Sequence, residues 1–290
     1  MKARTGRILR WVLPALMLMA LALLVSSPSL SEGAAADNAL RGYTKEDGYV
    51  YVNLGTYPQR IDGGVPEEDY NSWKWASNPI HDPSSVTVYT DPILWRVLTV
   101  DEEKAYLCSE YVLFCRPVHP SMAEYREIGA DFGNTELSHY LNEVFAPEAF
   151  TAEELNMLLP FETFGKVFLL SVADAKNKSI GLGQASSDGA VLNNLKAWPT
   201  EYCARMQVTY VTKTKFGAHV VYWLRDQSKS DKRHATKSRD NGRVGHLHCD
   251  AEDVGVRPAV HLDLSAFEIV GGKGTKTDPY TLAPRSNAAP

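Results

Sequence analysis

The sequence predicts an α+β fold with mixed, mostly antiparallel sheets, two short packed helices and long loops. Segments rich in β-branched and aromatic residues outnumber helical segments, and the two helical patterns follow each other directly instead of alternating with strands. The chain has 290 residues, of which 44% are hydrophobic and 22% charged. It can therefore build a sizeable core, and this composition excludes a disordered, collagenous or multi-span membrane protein.

Seven segments have the composition of β-strands. Gly55 and Pro58 are expected to end the first of them, and the acidic turn Asp101–Glu103 joins the second to the third as a hairpin. Pro258 lacks an N–H for a ladder, so its strand is expected at an edge or a bulge. The predicted strands are residues 49–54, 93–100, 104–108, 167–170, 219–224, 242–248 and 256–262.

Two helical patterns lie next to each other. The first is an apolar stripe with helical spacing that Pro147 is expected to end: Leu137, Tyr140, Leu141, Val144 and Phe145. In the second, Thr151 and Glu154 form a capping box, which predicts a short helix through Leu159.

The first 36 residues have the order of a secretory signal peptide. Basic residues precede an unbroken apolar run of 15 residues, Trp11 to Val25, whereas a membrane-spanning helix needs about 20. Small-x-small sites end at Ser31 and Ala36, and we favour cleavage after Ala36. If the segment stays uncleaved, it anchors the chain in a membrane.

Export also sets the expected boundaries and charge. The formal net charge of −5 becomes −8 once residues 1–36, with four basic side chains and Glu32, are removed. An acidic exported chain is a poor nucleic-acid binder. We expect a linker over residues 37–48, one globular domain over 49–284 and a tail over 285–290.

The cysteines are even in number in a chain directed to an oxidising compartment, which predicts up to two disulfides. The candidates are Cys108, Cys115, Cys203 and Cys249, and the sequence leaves their three pairings open.

The sequence predicts no metal site and no cofactor. His246 and His248 are spaced so that they share one face of a strand while Cys249 takes the other, and the paired C-x-x-C spacing of zinc sites is absent. Asp250 and Asp253 follow closely, so these two histidines and two carboxylates are weak metal candidates. Calcium on the carboxylates is the alternative.

Two arginines and two tryptophans have alternative interpretations. Arg225 and Arg257 carry the planar fork that grips a carboxylate, but in apolar strands we expect structural ion pairs or bonds to backbone carbonyls. Trp95 and Trp223 are expected in the core rather than as ligand platforms. The ligand-binding candidates are Arg225, Asp226, Asp240, Arg243, His246 and His248.

Several motifs occur in a fixed order. Leu54-Gly55-x-Tyr57-Pro58 precedes Ile93-x-Trp95-Arg96, and Tyr222-Trp223-Leu224-Arg225 precedes Gly255-Val256-Arg257-Pro258-Ala259. Over roughly residues 49–282 the chain thereby resembles a widespread family of bacterial exported domains with no established reaction.

The same W-L-R and G-V-R-P-A motifs are more distantly similar to the end of the C-type-lectin-like fold, which formylglycine-generating enzymes and phage variable receptor proteins share. This resemblance implies a lectin-like scaffold. Those enzymes bind copper through a pair of cysteines just before the terminal strands. This chain has no cysteine between Cys203 and Cys249, which argues against their oxidase chemistry.

We therefore expect a non-catalytic recognition module, secreted or surface-associated, that displays two loops, residues 59–92 and 226–241, to a glycan, peptide or cell-surface partner. No nucleophile motif of a hydrolase occurs in the sequence. The alternatives are a metal-assisted enzyme that uses His246 and His248, an atypical relative of the formylglycine-generating enzymes, and a structural component of the cell envelope.

Overall fold

The computed structural model describes residues 40–62, 86–183, 195–206 and 220–285. The predicted signal peptide, most of the predicted loop 59–92, His219 and nearly all of the predicted tail lie outside these residues. The strands are β1 (Val50–Ile61), β2 (Val88–Val100), β3 (Lys104–Ser109), β4 (Phe114–Cys115), β5 (Leu158–Leu159), β6 (Val167–Leu169), β7 (Tyr222–Gln227), β8 (His234–Ser238), β9 (Val244–His248), β10 (Gly255–Val256), β11 (Pro258–Asp263), β12 (Phe267–Gly271) and β13 (Tyr280–Pro284).

These strands form two sheets. The larger has the order β12-β13-β1-β2-β3-β11-β5, with β6 also paired to β11, and the smaller has the order β4-β10-β7-β8-β9. The pairs β1–β13 and β7–β10 are parallel, and the other described pairs are antiparallel. The predicted α+β class with mostly antiparallel sheets is confirmed.

The helices are short and more numerous than the two predicted. None of those in the described part of the chain is long and apolar enough to cross a membrane. They are α1 (Met122–Ile128), α2 (Glu136–Tyr140), α3 (Ala146–Ala149), α4 (Ala152–Asn156), α5 (Val172–Lys176) and α6 (Glu201–Met206), and one π-helical turn (Leu141–Phe145) joins α2 to α3.

The first predicted helix continues past Pro147, so its predicted end is wrong. Pro147 lies in the first turn of α3, where a missing N–H is tolerated. The wider π-helical turn also shifts the apolar stripe, because it adds a residue to the turn. Leu137, Leu141 and Phe145 are fully buried, whereas Val144 is 47% exposed.

The capping box of the second helix is present as predicted. The Thr151 hydroxyl accepts from the Glu154 N–H at 3.2 Å, and the Glu154 carboxylate accepts from the Thr151 N–H at 2.9 Å. The helix ends at Asn156 rather than at Leu159, because Leu158 and Leu159 pair with β11 instead.

β1 runs through Gly55 and Pro58, so the prediction that they end the strand is wrong. The register with β2 shifts between Asn53 and Thr56 and again between Pro58 and Arg60, and these irregularities absorb both residues. Gly55 has a φ of 67°, which residues with a Cβ rarely adopt.

The predicted strand 256–262 is divided between the two sheets. β10 ends at Val256 in the smaller sheet, and β11 begins at Pro258 in the larger one. The prediction of an edge or bulge for Pro258 is wrong, because β11 has neighbours on both sides. The proline is tolerated as the first residue of its strand, since the ladder with β3 starts only at Ala259.

Candidate functional site

The predicted display loop 226–241 contains a strand. β7 extends to Gln227 and β8 covers His234–Ser238, so two turns, residues 228–233 and 239–243, connect β7, β8 and β9. The prediction was wrong because β8 is polar in composition. Its strand conformation comes from backbone pairing with a neighbour on each side, which no local pattern reveals.

Three histidines lie on one face of the β8–β9 hairpin, and we call this set the imidazole face: His234, His246 and His248. His234 lies directly opposite His248 in the register, with ring centroids 6.5 Å apart. The His234 ring also stacks on His246, with centroids 5.4 Å apart and 25° between the planes. His246 and His248 are exposed, while Cys249 is fully buried, in agreement with the predicted alternation.

Carboxylates flank the imidazole face. His248 Nδ1 lies 2.5 Å from Asp250 Oδ1, and His234 Nε2 lies 3.7 Å from Asp231 Oδ2. Hydrogen bonds from the side chain and backbone N–H of Arg233 lower the pKa of Asp231 below its usual range. His234 Nδ1 is buried and has no hydrogen-bond partner. Two of the three rings therefore lie beside carboxylates.

The weak metal candidates are only partly brought together. His246 and His248 share the imidazole face and Asp250 contacts His248, but Asp253 lies in the segment before β10. Within the described ranges, no three His, Cys, Asp or Glu side chains are arranged to hold one metal ion.

The turn beside the imidazole face carries the candidates Asp240 and Arg243. The Arg239 N–H donates to the Arg243 carbonyl at 2.7 Å, and the Gly242 N–H donates to the Arg239 carbonyl at 2.9 Å. These bonds close the turn, and the exposed Arg239 side chain lies over Gly245, on the face of β9 opposite to the imidazole face. Residues 228–243 contain six lysines and arginines against two aspartates, in a chain whose net charge is −5.

Arg225 and Asp226 are engaged within the protein. Arg225 Nη1 donates to the Leu169 carbonyl at 2.7 Å and lies 3.2 Å from Asp174 Oδ2. Asp226 Oδ2 accepts from the Val172 N–H at 2.6 Å. These contacts fasten α5 to β7, which agrees with the structural interpretation of Arg225.

Arg257 is fully buried at the crossing between the two sheets. Its Nε donates to the Ser109 carbonyl at 2.7 Å, and its Nη1 donates to the Tyr222 hydroxyl at 3.3 Å. Trp95 and Trp223 are likewise fully buried. Each indole N–H donates to a backbone carbonyl, so these motif residues hold the fold together.

A buried ionic network was missed in the sequence. Arg96 pairs with Glu110, and Lys276 Nζ lies 3.0 Å from Glu110 Oε1. Burial alone would raise the pKa of Glu110, but the charges of Arg96 and Lys276 hold it at about 2. Lys276 is 166 positions from Glu110, so no motif or spacing pointed to this pair.

All four cysteines are thiols in this structure. Cys115 Sγ and Cys203 Sγ are 3.8 Å apart, farther than the roughly 2.05 Å of a disulfide bond. Cys108 and Cys249 are fully buried.

The comparisons with known proteins identify the family. Residues 102–264, more than half of the chain, match the family described as a domain of unknown function, DUF6273. The chain belongs to the DUF6273 family. The matched DUF6273 region runs from the β2–β3 turn through β11, so it includes the imidazole face and the crossing at Arg257. Neither the curated proteins nor the solved structures contain a match.

Proposed function

We propose that this DUF6273 protein is an exported, non-catalytic recognition module that binds an anionic partner through the imidazole face and the adjoining turn 239–243. The observation that carries the proposal is the grouping of three histidines on one face of an edge hairpin, whose turn also carries Arg243. Export is supported by the signal-peptide pattern of residues 1–36.

The hairpin is suited to recognition because buried side chains and a hydrogen bond to β7 hold it in the smaller sheet. Ala235 and Ser238 are fully buried, and the Thr236 hydroxyl donates to the Asp226 carbonyl at 2.8 Å. Groups on a fixed scaffold lose little conformational entropy when a partner binds. The distant similarity of the W-L-R and G-V-R-P-A motifs to the lectin-like fold agrees with such a role, since that fold serves as a scaffold for binding sites.

The chemistry of the surface favours a partner that bears carboxylates. Imidazole N–H groups and guanidinium groups are donors that match carboxylate oxygens, and the guanidinium fork binds them in pairs. The positive hairpin on an otherwise acidic chain would steer such a partner to this edge. A uronic-acid glycan and an acidic peptide at a cell surface both carry this group.

The proposal is tested by binding of the purified protein to immobilised polygalacturonate and polyglutamate, which separate the glycan from the peptide. We expect the wild type to bind one of them at low salt, and H246A/H248A to bind at least about tenfold more weakly. The control is H139A, which removes an equally exposed histidine on α2. Binding that is equal in both variants, or a wild type that binds neither polymer, would overturn the proposal. Deleting residues 228–239 is not a suitable test of binding by this segment, because the deletion would remove β8 from the sheet.

The second candidate is a metal-assisted enzyme that uses His246 and His248, two exposed imidazoles on one face of β9. The test is to measure the Tm of the wild type after zinc is added and again after it is chelated. Parallel measurements with calcium test the carboxylate site, and those with copper test the oxidase alternative. A metal that binds only the native state adds about 2.7 kcal/mol at a hundredfold excess over Kd. A zinc-dependent rise in Tm that H246A/H248A loses would favour this candidate over simple recognition.

A further inference from the structure

Cys115 and Cys203 face each other across two segments that lie side by side. Cys115 is the last residue of β4, and Cys203 lies in α6. Their sulfurs are 3.8 Å apart, although 88 positions separate them in the chain. Cys115 is partly exposed and Cys203 is buried.

The approach of the two sulfurs is set by the backbone. The Val112 N–H donates to the Trp198 carbonyl at 2.8 Å, and the Thr200 N–H donates to the Val112 carbonyl at 2.9 Å. The Thr200 hydroxyl then accepts from the Cys203 N–H at 3.1 Å and so fixes the start of α6. These bonds hold both segments in place, and a disulfide requires the two sulfurs to move from 3.8 Å apart to roughly 2.05 Å.

We propose that Cys115 and Cys203 form a disulfide when the protein meets a disulfide oxidant, and that Cys108 and Cys249 stay thiols. This pairing is one of the three that the sequence left open. The inference depends on the proposed export only for its cellular setting, because export would bring the chain to an oxidising compartment.

The reaction is ordinary thiol–disulfide exchange. The Cys115 thiolate attacks one sulfur of the oxidant, which forms a mixed disulfide and releases the first thiolate of the oxidant. The Cys203 thiolate then attacks Cys115 Sγ, which forms the internal bond and expels the second thiolate. The protein loses two protons and two electrons, and the oxidant is reduced to two thiols.

The other two cysteines are placed to resist this exchange. Cys249 is fully buried at the end of β9, and burial, with a further contribution from Asp250, raises its pKa to about 12. Cys108 is fully buried in β3, and burial likewise raises its pKa. Thiols with a raised pKa supply little of the attacking thiolate.

The disulfide would tie α6 to the smaller sheet at one end. Cys115 pairs with Gly255 of β10, beside the crossing at Arg257, and the same sheet carries the imidazole face at its other edge. The bond would stiffen the scaffold without touching the binding surface.

The test is oxidation of the folded full chain with glutathione disulfide, followed by maleimide labelling in denaturant and peptide mapping by mass spectrometry. We expect a cross-linked peptide that joins Cys115 to Cys203, and maleimide on Cys108 and Cys249. The variants C115S and C203S each lack one partner of the pair and should keep their remaining thiols through the same treatment. If C203S fails to fold, C115S alone provides the control.

A cross-link that involves Cys108 or Cys249, or four labelled thiols after oxidation, would overturn the pairing. These outcomes are independent of the recognition proposal, because the polymer-binding experiment concerns H246A/H248A and involves no cysteine.

Discussion

His261 lies in an aromatic cage in the larger sheet, although nothing in the sequence marked it. Its ring centroid is 5.1 Å from Tyr106, 4.8 Å from Phe161 and 5.1 Å from Phe168, and the residue is only 7% exposed. Burial, and to a lesser degree the charge of Lys104, lowers its pKa from 6.5 to about 4. The histidine is therefore neutral in the folded protein at neutral pH.

This pKa shift predicts a loss of stability in mild acid. The unfolded chain takes up a proton near pH 6.5 whereas the folded chain does so only near pH 4, so the stabilisation is complete above pH 6.5 and is lost as the pH falls towards 4. The linkage relation gives a loss of about 2 kcal/mol between pH 8 and pH 5. His261→Phe keeps an aromatic ring in the cage and removes the imidazole that takes up the proton.

The assay is urea unfolding of the wild type, H261F and the exposed-site control H139A at pH 8 and pH 5. The stability difference between the wild type and H261F should move by about 2 kcal/mol in favour of H261F on acidification. H139A controls for the removal of a histidine from an exposed position. Parallel pH dependences of the wild type and H261F would refute the reasoning.

Three further predictions concern the stability of the fold. Glu110→Gln should lower the free energy of unfolding at pH 7 by about 3 to 5 kcal/mol, because it leaves the buried Arg96 guanidinium without its carboxylate. The difference between this variant and the wild type, measured by urea unfolding, should close as the pH falls from 4.5 to about 2, since Glu110 stabilises the fold only while it is ionised. Gly165→Ala should lower the free energy of unfolding by about 2 kcal/mol or more, because Gly165 has a φ of 82° and the new Cβ would lie 2.3 Å from Asn142 Oδ1. That oxygen accepts hydrogen bonds from two backbone N–H groups. An unchanged Tm would contradict this prediction. Oxidation should raise stability by about 4 to 5 kcal/mol through the 88-residue separation of Cys115 and Cys203, and C115S should show no such gain.

The parts of the fold that depend on neighbours in sequence were predictable. The capping box needs only Thr151 and Glu154, three residues apart, and it forms as expected. The alternation that puts His246 and His248 on one face and buries Cys249 follows from strand geometry alone. The helix ending at Pro147 was mispredicted because a π-helical turn has no recognised sequence signal.

The rest depends on register and long-range packing. His234 joins the imidazole face only because β8 and β9 pair with His234 opposite His248, and β8 itself looked like a loop. Lys276 reaches Glu110 from a distant turn after β12. No spacing rule connects such residues, so two of the three imidazoles were visible in the sequence and the third was not.

The most direct test of recognition at the imidazole face is histidine footprinting with diethylpyrocarbonate, with and without whichever of polygalacturonate and polyglutamate binds the wild type. The rates of modification are read for each histidine by mass spectrometry. The recognition account predicts that the polymer slows modification of His246 and His248 and leaves His139 unchanged. Unchanged rates at His246 and His248, or equal slowing at His139, would contradict it.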